Sequence, residues 1–356
     1  MDIQRQCPGV HWVWEGGISF VYEVHPLKSG EEEREQFHKE LKIYEILSQH
    51  PPCPSVVQCF LYTTDGIFLE YMRDISLAYR KQFNMTRNQE TRVVTKVNTM
   101  EPLPLRKQWM NDLAQGVAFL GSLNLAHGDL RAENILLDRD QLKLSDFDCT
   151  AEFGTDFETC PCPYGRLLND TEAEQGRPGT AGFLGPRTEQ FALGSLYYLI
   201  NYGFEVYDDQ CLAGDPYEHG PKVVDLLQRM EFPSLDGDPV IDDIIDKCWH
   251  NQYPTLAELA SHTEALLKGS SSEVPNPGAD STPTSIPVDR IPRDNGKVPS
   301  DDCRDVNQNS GMHFSKQEFC RDLEKRGLLR LLTSGTPTEL GFRMEHRYVL
   351  ETTPVD

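Results

Sequence analysis

Three polar residues, closely spaced along this 356-residue sequence, are the ones best suited to chemistry. Asn134 follows Asp129 by five positions, and Asp146 follows Asn134 by twelve. An aspartate can orient a hydroxyl group and accept its proton, and amide and carboxylate oxygens are ligands that Mg²⁺ prefers. Phosphoryl transfer needs an oriented hydroxyl and a cation that neutralises charge on the phosphates. The spacing therefore indicates phosphotransfer, although the same residue types also cap turns and end strands.

A short β-hairpin is predicted to connect the second and third of these residues. Residues 135–137 are apolar, residues 138–141 form a polar turn, and apolar and polar residues alternate over 142–146. This alternation is typical of a half-buried strand. Because the two ends of a hairpin lie on the same side, Asn134 and Asp146 are expected to lie close together.

The segment over residues 127–148 resembles the catalytic segment of the protein-kinase-like superfamily. His-Gly-Asp at 127–129 stands where protein kinases carry His-Arg-Asp, and Asp-Phe-Asp at 146–148 where they carry Asp-Phe-Gly. Residues 179–187 are similar to the end of a kinase activation segment, and residues 189–194 to the start of the buried helix of the C-lobe. The resemblance covers about residues 10–267. The residue sequence is most similar to that of divergent kinase-domain proteins of filamentous fungi.

The resemblance implies a two-lobed α+β fold. A small antiparallel β N-lobe with one helix would precede a larger α-helical C-lobe, and the N-lobe would be truncated at its third strand. The predicted organisation is a kinase-like domain over 1–268 (N-lobe about 1–72, C-lobe about 73–268), a disordered proline-rich linker over 269–312, and a tail over 313–356 with a capped helix at 316–332.

The same resemblance implies ATP and Mg²⁺ as cofactors and assigns roles to individual residues. Asp129 would be the catalytic base, Arg131 would stabilise charge on the phosphoryl group, and Asn134 and Asp146 would hold Mg²⁺. Glu40 lies on a predicted helix over 31–49 and would pair with the nucleotide lysine. The residues expected at the nucleotide are Gly16, Gly17, Val21, Lys28, Glu40, Glu70, Met72 and Leu136.

The sequence departs from the kinase pattern at several positions. Only Gly16 and Gly17 remain of a glycine-rich loop, and no Val-Ala-x-Lys run follows, which leaves Lys28 as the one candidate lysine. Gly128 removes the arginine that binds a phosphorylated activation loop in many kinases. Arg187 stands in place of a glutamate that kinases pair with an arginine, and the helix that usually follows that position is missing.

Three functions remain open from the sequence. The first is an ATP-dependent protein kinase, with serine/threonine specificity and a protein or peptide substrate. The second is a pseudokinase that retains the fold as a binding or scaffold module. The third is a small-molecule kinase similar to aminoglycoside and choline kinases, which also use His-Gly-Asp.

Composition limits the partners and the location of the protein. The net charge of −22 disfavours nucleic acid and anionic membranes as partners. The first residues contain no apolar stretch of signal-peptide length, and the ten cysteines are expected to be reduced thiols, so an intracellular, cytoplasmic location is expected. The C-terminal helix is expected to dock on its own kinase domain.

Overall fold

The N-terminal part of the chain forms a small sheet and one long helix. The computed structural model describes residues 14–15, 20–21, 25–26, 31–64, 66–157, 161–269 and 316–332. The elements of this part are β1 (Trp14–Glu15), β2 (Phe20–Val21), β3 (His25–Pro26), α1 (Glu31–Leu47), β4 (Cys59–Thr63) and β5 (Gly66–Leu69). Strands β3, β5 and β4 pair antiparallel in that order, and His25 lies opposite Ile67. Two residues of a third N-lobe strand are therefore described, and they pair with β5.

The larger part of the chain is mainly helical. Its described elements are α2 (Leu77–Gln82), β6 (Met85–Arg87), β7 (Val94–Val97), α3 (Leu103–Ser122), β8 (Leu125–Ala126), β9 (Ile135–Asp138), β10 (Gln141–Leu144), β11 (Ala151–Glu152), β12 (Asp156–Phe157), β13 (Gly182–Phe183), α4 (Pro186–Tyr202), α5 (His219–Gln228), α6 (Pro239–Trp249) and α7 (Leu256–Gly269). The few short antiparallel strands beside a larger helical lobe give the two-lobed α+β architecture that the sequence predicts.

Helix α4 is the central element of the helical lobe. Every residue from 189 to 200 is buried, so the helix contacts protein on all sides. Trp249 of α6 packs against Gly194, where an added Cβ would lie only 2.7 Å from the indole ring. The glycine therefore allows the two helices to approach closely, which fixes α4 beneath the candidate site.

The hairpin of β9 and β10 forms as the alternation predicted. Asp138 pairs with Gln141 across a two-residue turn, and Arg139 in that turn has a φ of 59°. Helix α3 holds the hairpin from below, because Trp109 Nε1 donates to the carbonyl of Asp140 at 2.9 Å. The two ends of the hairpin are thereby held against the rest of the lobe.

Residues 78–100 form ordered elements despite their polar composition. They form most of α2 and the antiparallel pair of β6 and β7. Lys81 is buried, and its ammonium group donates to the carbonyl of Ile200 at 3.3 Å and lies 5.9 Å from the centre of the Trp109 ring. Burial lowers its pKa to about 8. The polar composition does not reveal this buried lysine, because Ile200 and Trp109 contact Lys81 only in the folded chain.

Two short helices, not one, occupy the predicted helical part of the C-terminal tail. They are α8 (Lys316–Lys325) and α9 (Leu328–Leu332), separated at Gly327, whose φ of 79° suits glycine. In the structure α8 lies against β4 and α9 against β3, with Lys316 Nζ 4.9 Å from the centre of the Phe60 ring. The predicted capping residues at 314 and 315 lie outside the described residues.

None of the described helices is both long and apolar enough to cross a membrane.

Candidate active site

The two oxygens of the Asp129 carboxylate have different surroundings. Asn134 Nδ2 donates to Oδ2 of Asp129 at 2.8 Å and to its backbone carbonyl at 3.0 Å. Oδ1 is buried and has no hydrogen-bond partner. Burial raises the pKa of Asp129, and nearby Arg131 partly offsets this rise. One oxygen is thus fixed by Asn134, and the other is available to accept a hydrogen bond from a hydroxyl group.

Arg131 lies beside this carboxylate without a hydrogen bond to it. Its Nε is 3.7 Å from Asp129 Oδ2 and 3.5 Å from Glu133 Oε2, and this nitrogen is buried without a hydrogen-bond partner. The guanidinium therefore supplies positive charge next to Asp129. It also retains a donor that a phosphoryl oxygen can use.

A buried carboxylate on α4 holds the loop that carries Asp129. Glu189 is 2% exposed, and its two oxygens accept hydrogen bonds from the backbone N–H of His127 at 2.8 Å and of Gly128 at 3.3 Å. Burial raises the pKa of Glu189 to about 7. Sequence reasoning placed this residue at the start of a helix and missed its role. The available signal was an acidic residue near the start of a helix whose following residues are mostly apolar.

Gly128 is required by the backbone of the same loop. Its φ is 80°, and a Cβ at this position would lie 2.5 Å from the carbonyl oxygen of Cys149. The position that kinases fill with arginine is therefore closed to any side chain in this conformation. The glycine also allows residues 127–129 to approach the segment after Asp146.

Asp146 is connected to Asn134 through Ser145. The backbone N–H and the hydroxyl of Ser145 donate to the carbonyl of Asn134 at 3.0 Å and 2.9 Å. Asp146 itself is exposed and has a φ of 64°. The hairpin thus brings the two predicted metal ligands together, as the sequence predicts. The surrounding protein and then Asp148 raise the pKa of Asp146 to about 7.

An aromatic stack connects this site to α1. The Phe147 ring lies 5.4 Å from Tyr44 of α1 and 5.3 Å from His127, measured between ring centres. All three side chains are fully buried. Burial lowers the pKa of His127 to about 4, so the imidazole is neutral near pH 7. A displacement of α1 would therefore be transmitted directly to the residues beside Asp129.

Glu40 of α1 lies among carboxylates. Burial and then the charges of Asp146 and Asp148 raise its pKa to about 8, although the amide of Phe147 lowers it in part. The expected partner, Lys28, lies outside the described residues, as do Gly16 and Gly17. The described part of the chain therefore places Glu40 beside the candidate metal ligands, and the predicted pairing stays a prediction.

The remaining nucleotide residues lie along the end of β5 and on β9. The Glu70 carboxylate accepts hydrogen bonds from Lys143 Nζ at 2.6 Å and from the backbone N–H of Gln58 at 3.2 Å. Met72 is buried, and Leu136 lies half-buried on β9. Val21 belongs to β2, for which only the backbone is described. The structure thus ties the predicted hinge to the hairpin through Glu70 and Lys143.

Asn134 and Asp146 fit a magnesium ion of the kind that binds together with nucleotide. Among the described residues, no three His, Cys, Asp or Glu side chains are grouped to hold a metal ion. Mg²⁺ commonly takes only one or two protein carboxylates and completes its shell with water and phosphate oxygens. Asn134 donates through Nδ2, which leaves its amide oxygen as a ligand, and the exposed Asp146 supplies the carboxylate.

Comparison with known proteins shows which family the candidate site resembles. Residues 19–167 match the protein kinase domain family. That stretch contains Asp129, Arg131, Asn134 and Asp146, but not Gly16, Gly17 or Glu189. The match and the relatives described next support a resemblance to the protein-kinase-like superfamily.

Several curated kinases are similar to the chain at low identity. The probable serine/threonine-protein kinase gdt2 of Dictyostelium discoideum is 24% identical over 72% of this chain and 16% of its own length. Testis-specific serine/threonine-protein kinase 1 of Mus musculus is 26% identical over 48% of this chain and 52% of its own length. Maternal embryonic leucine zipper kinase of Danio rerio is 26% identical over 41% of this chain. The chain thus spans only a small part of the Dictyostelium relative.

Proposed function

We propose that the protein is an ATP- and Mg²⁺-dependent protein kinase that phosphorylates serine or threonine, with Asp129 as the catalytic base. The observation that carries the proposal is the asymmetric Asp129 carboxylate, with Oδ2 held by Asn134 and Oδ1 buried and unpartnered. The serine/threonine specificity rests on the relatives whose names state it. The narrower resemblance to fungal proteins stays a prediction.

Each residue would have a defined task in the transfer. Asp129 Oδ1 accepts the hydrogen bond of the substrate hydroxyl and takes its proton as the oxygen attacks the phosphorus. Arg131 stabilises negative charge on the phosphoryl oxygens. Asn134 and Asp146 hold Mg²⁺, which when bound neutralises the charge of the ATP phosphates. Glu189 keeps the loop in place through the amides of His127 and Gly128.

A pseudokinase is the second candidate, and one observation favours it. Glu40 lies beside Asp146 and Asp148, and its pKa is raised to about 8 first by burial and then by the charges of these two carboxylates. If Lys28 does not reach this site, ATP would bind weakly. The fold would then act as a binding module.

The melting temperature measured against ATP, with and without Mg²⁺, tests nucleotide binding. A ligand that binds only the folded state stabilises it by about 2.7 kcal/mol at roughly a hundredfold excess over Kd. For a kinase we expect a rise in melting temperature that requires Mg²⁺ and is lost in Asp146→Asn. The absence of a shift at millimolar ATP would favour the pseudokinase.

Transfer of radioactive phosphate from ATP tests the substrate class. We expect incorporation into a serine/threonine peptide library and none into small amino alcohols. Incorporation into amino alcohols alone would instead identify a small-molecule kinase.

We also propose that the C-terminal helices α8 and α9 dock on the N-lobe of the same chain. Cys320, Leu323, Leu328 and Leu329 are all buried, whereas the charged residues Arg321, Lys325 and Arg330 of the same helices are exposed. The contacts with β3 and β4 supply the apolar surface that covers them.

A further inference from the structure

Arg187 is a largely enclosed cation that borders a small cavity together with Gly128 and Leu130 of the loop that carries Asp129. It is the second residue of α4, and its Nη2 donates to the backbone carbonyls of Ala181 and Phe183. Its Nε is buried and has no hydrogen-bond partner. A guanidinium prefers to give its neighbouring N–H groups to one planar anion, and this one gives two hydrogen bonds to neutral carbonyls through a single nitrogen.

The nearest carboxylate is already used by another arginine. Arg166 makes two hydrogen bonds to Glu172, one of them Nη1 to Oε2 at 2.7 Å, and its side chain is 5% exposed. This contact is the main reason that the pKa of Glu172 is lowered. Burial and then the charge of Arg166 lower the pKa of Arg187 to about 10, and Glu172 only partly offsets them. Arg187 is therefore a cation whose charge is poorly compensated.

Arg187 and Arg166 lie in a wall between two cavities. On one side is a small cavity lined by Tyr164, Thr188 and Glu189. On the other side is an open groove of about 490 Å³, bounded by Thr171, Met230 and Trp249. That volume is in the range of small-ligand sites. The other charged groups facing the groove are Glu174, which is exposed to water, and His250, which lies 3.2 Å from Asp246.

We propose that Arg187, with Arg166 beside it, forms an oxyanion-binding site that takes a carboxylate or phosphate group entering through this groove. The anion would accept hydrogen bonds from Arg187 and compensate the excess positive charge of the arginine pair. The phenyl and indole rings of Phe191 and Trp249 would contact the apolar part of the molecule that carries the anion. The site does not depend on the proposed phosphotransfer, and its occupancy can be measured without nucleotide.

The test is the melting temperature in sodium phosphate, sodium acetate and sodium chloride at one pH and one ionic strength. At about ten times Kd, a bound anion should raise the melting temperature of the full chain by about 2–4 °C over chloride. Arg187→Gln should abolish the rise. Arg229→Gln is the matched control, since Arg229 is an exposed arginine paired with Glu231 away from the groove, and it should retain the rise.

A second variant keeps the proposal testable if Arg187→Gln does not fold. Glu172→Gln removes the carboxylate that binds Arg166, so both arginines can contact the anion. The rise in melting temperature caused by the anion should therefore exceed that of the unmodified chain. A melting temperature raised by phosphate alone would identify a phosphoryl ligand at the site. Melting temperatures raised equally by phosphate and acetate would identify a carboxylate ligand. The same melting temperature in all three salts, or a full rise that persists in Arg187→Gln, would show that Arg187 forms no such site.

Discussion

At the scale of single residues, the chemistry of the site depends on how each hydrogen-bond donor is used. The neutral His127 accepts from the amide of Asp129 through Nδ1 at 3.4 Å, so its proton lies on Nε2 and is donated to the carbonyl of Ser145. The imidazole thus connects the two segments that carry Asp129 and Asp146. It is a structural link between them and not a second base.

Asp129→Asn should lower turnover by about two to four orders of magnitude, because an amide cannot take the proton of the attacking hydroxyl. The affinity for nucleotide should stay within about twofold, since Asp129 is not among the predicted nucleotide contacts. The measurement is kcat from steady-state phosphate transfer together with Kd from nucleotide titration. Asp170→Asn, at an exposed position, serves as the control. Undiminished turnover in Asp129→Asn would exclude it as the base.

Glu189 should make the stability of the protein depend on pH. Its pKa rises from 4.5 to about 7 on folding, so the folded state binds the proton more tightly than the unfolded state. The stabilisation is fully present below pH 4.5 and is lost as pH rises to about 7. At about 1.4 kcal/mol per pKa unit, the loss is about 3 kcal/mol.

Urea unfolding between pH 4 and pH 8, for the native chain and Glu189→Gln, measures this effect. The difference in unfolding free energy between the two proteins should fall as pH rises across that window and level off above it. A difference that is constant with pH would show that Glu189 ionises normally.

At the scale of secondary-structure elements, the sequence predicted those parts whose pattern is local. The hairpin of β9 and β10 was predictable because apolar residues alternate across a polar turn. Helices α1, α3, α6 and α7 were predictable within a few residues from their apolar faces, and α6 begins as expected for Asp238 at its N-cap with Pro239 after it.

The parts that were missed depend on contacts distant in sequence. The role of Glu189 requires amides about 60 positions earlier in the chain. Lys81 is buried only because Trp109 and Ile200 surround it. The break at Gly327 follows from a positive φ, and glycine alone does not reveal its φ in the sequence. In each case a local pattern contains no information about the distant partner.

Gly128→Ala should show how strongly the catalytic loop needs its close approach to Cys149. Gly154 is a matched control, because its φ of 88° is similar but an added Cβ would contact nothing within 4 Å. Gly154→Ala should cost about 1 kcal/mol from backbone strain alone. Gly128→Ala should cost about 1–3 kcal/mol more, because the added methyl group overlaps a backbone carbonyl. Chemical denaturation of both variants gives the comparison, and equal losses would contradict the close approach.

At the scale of the whole molecule, the described C-terminal helices lie against the N-lobe although they are the last described part of the chain. Their buried residues are leucines and one cysteine, so their apolar surface is covered by β3 and β4. The N-lobe therefore gains packing from the opposite end of the sequence. This packing is relevant because the described part of the third N-lobe strand is only two residues long.

Leu323→Ala should loosen this packing. Leu323 is 2% exposed, and its truncation in a packed interface costs about 2–5 kcal/mol. Amide hydrogen exchange in α8 and α9 should accelerate by at least about tenfold, while exchange in α4 stays unchanged. Arg321→Ala, at an exposed position of the same helix, is the control and should have little effect. Unchanged exchange in Leu323→Ala would show that the helices are not held by this contact.

The link between Glu189 and the catalytic loop has a consequence for the order of folding. Asn134 and Asp146 belong to one hairpin, so only a short loop must close before they meet, and the entropy lost is small. The Glu189 bonds join residues 62 and 61 positions apart and can form only after α4 has docked. A partly folded chain would therefore have its proposed metal ligands together before the proposed base Asp129 is aligned, and the alignment of Asp129 would be the last property of the site to be acquired.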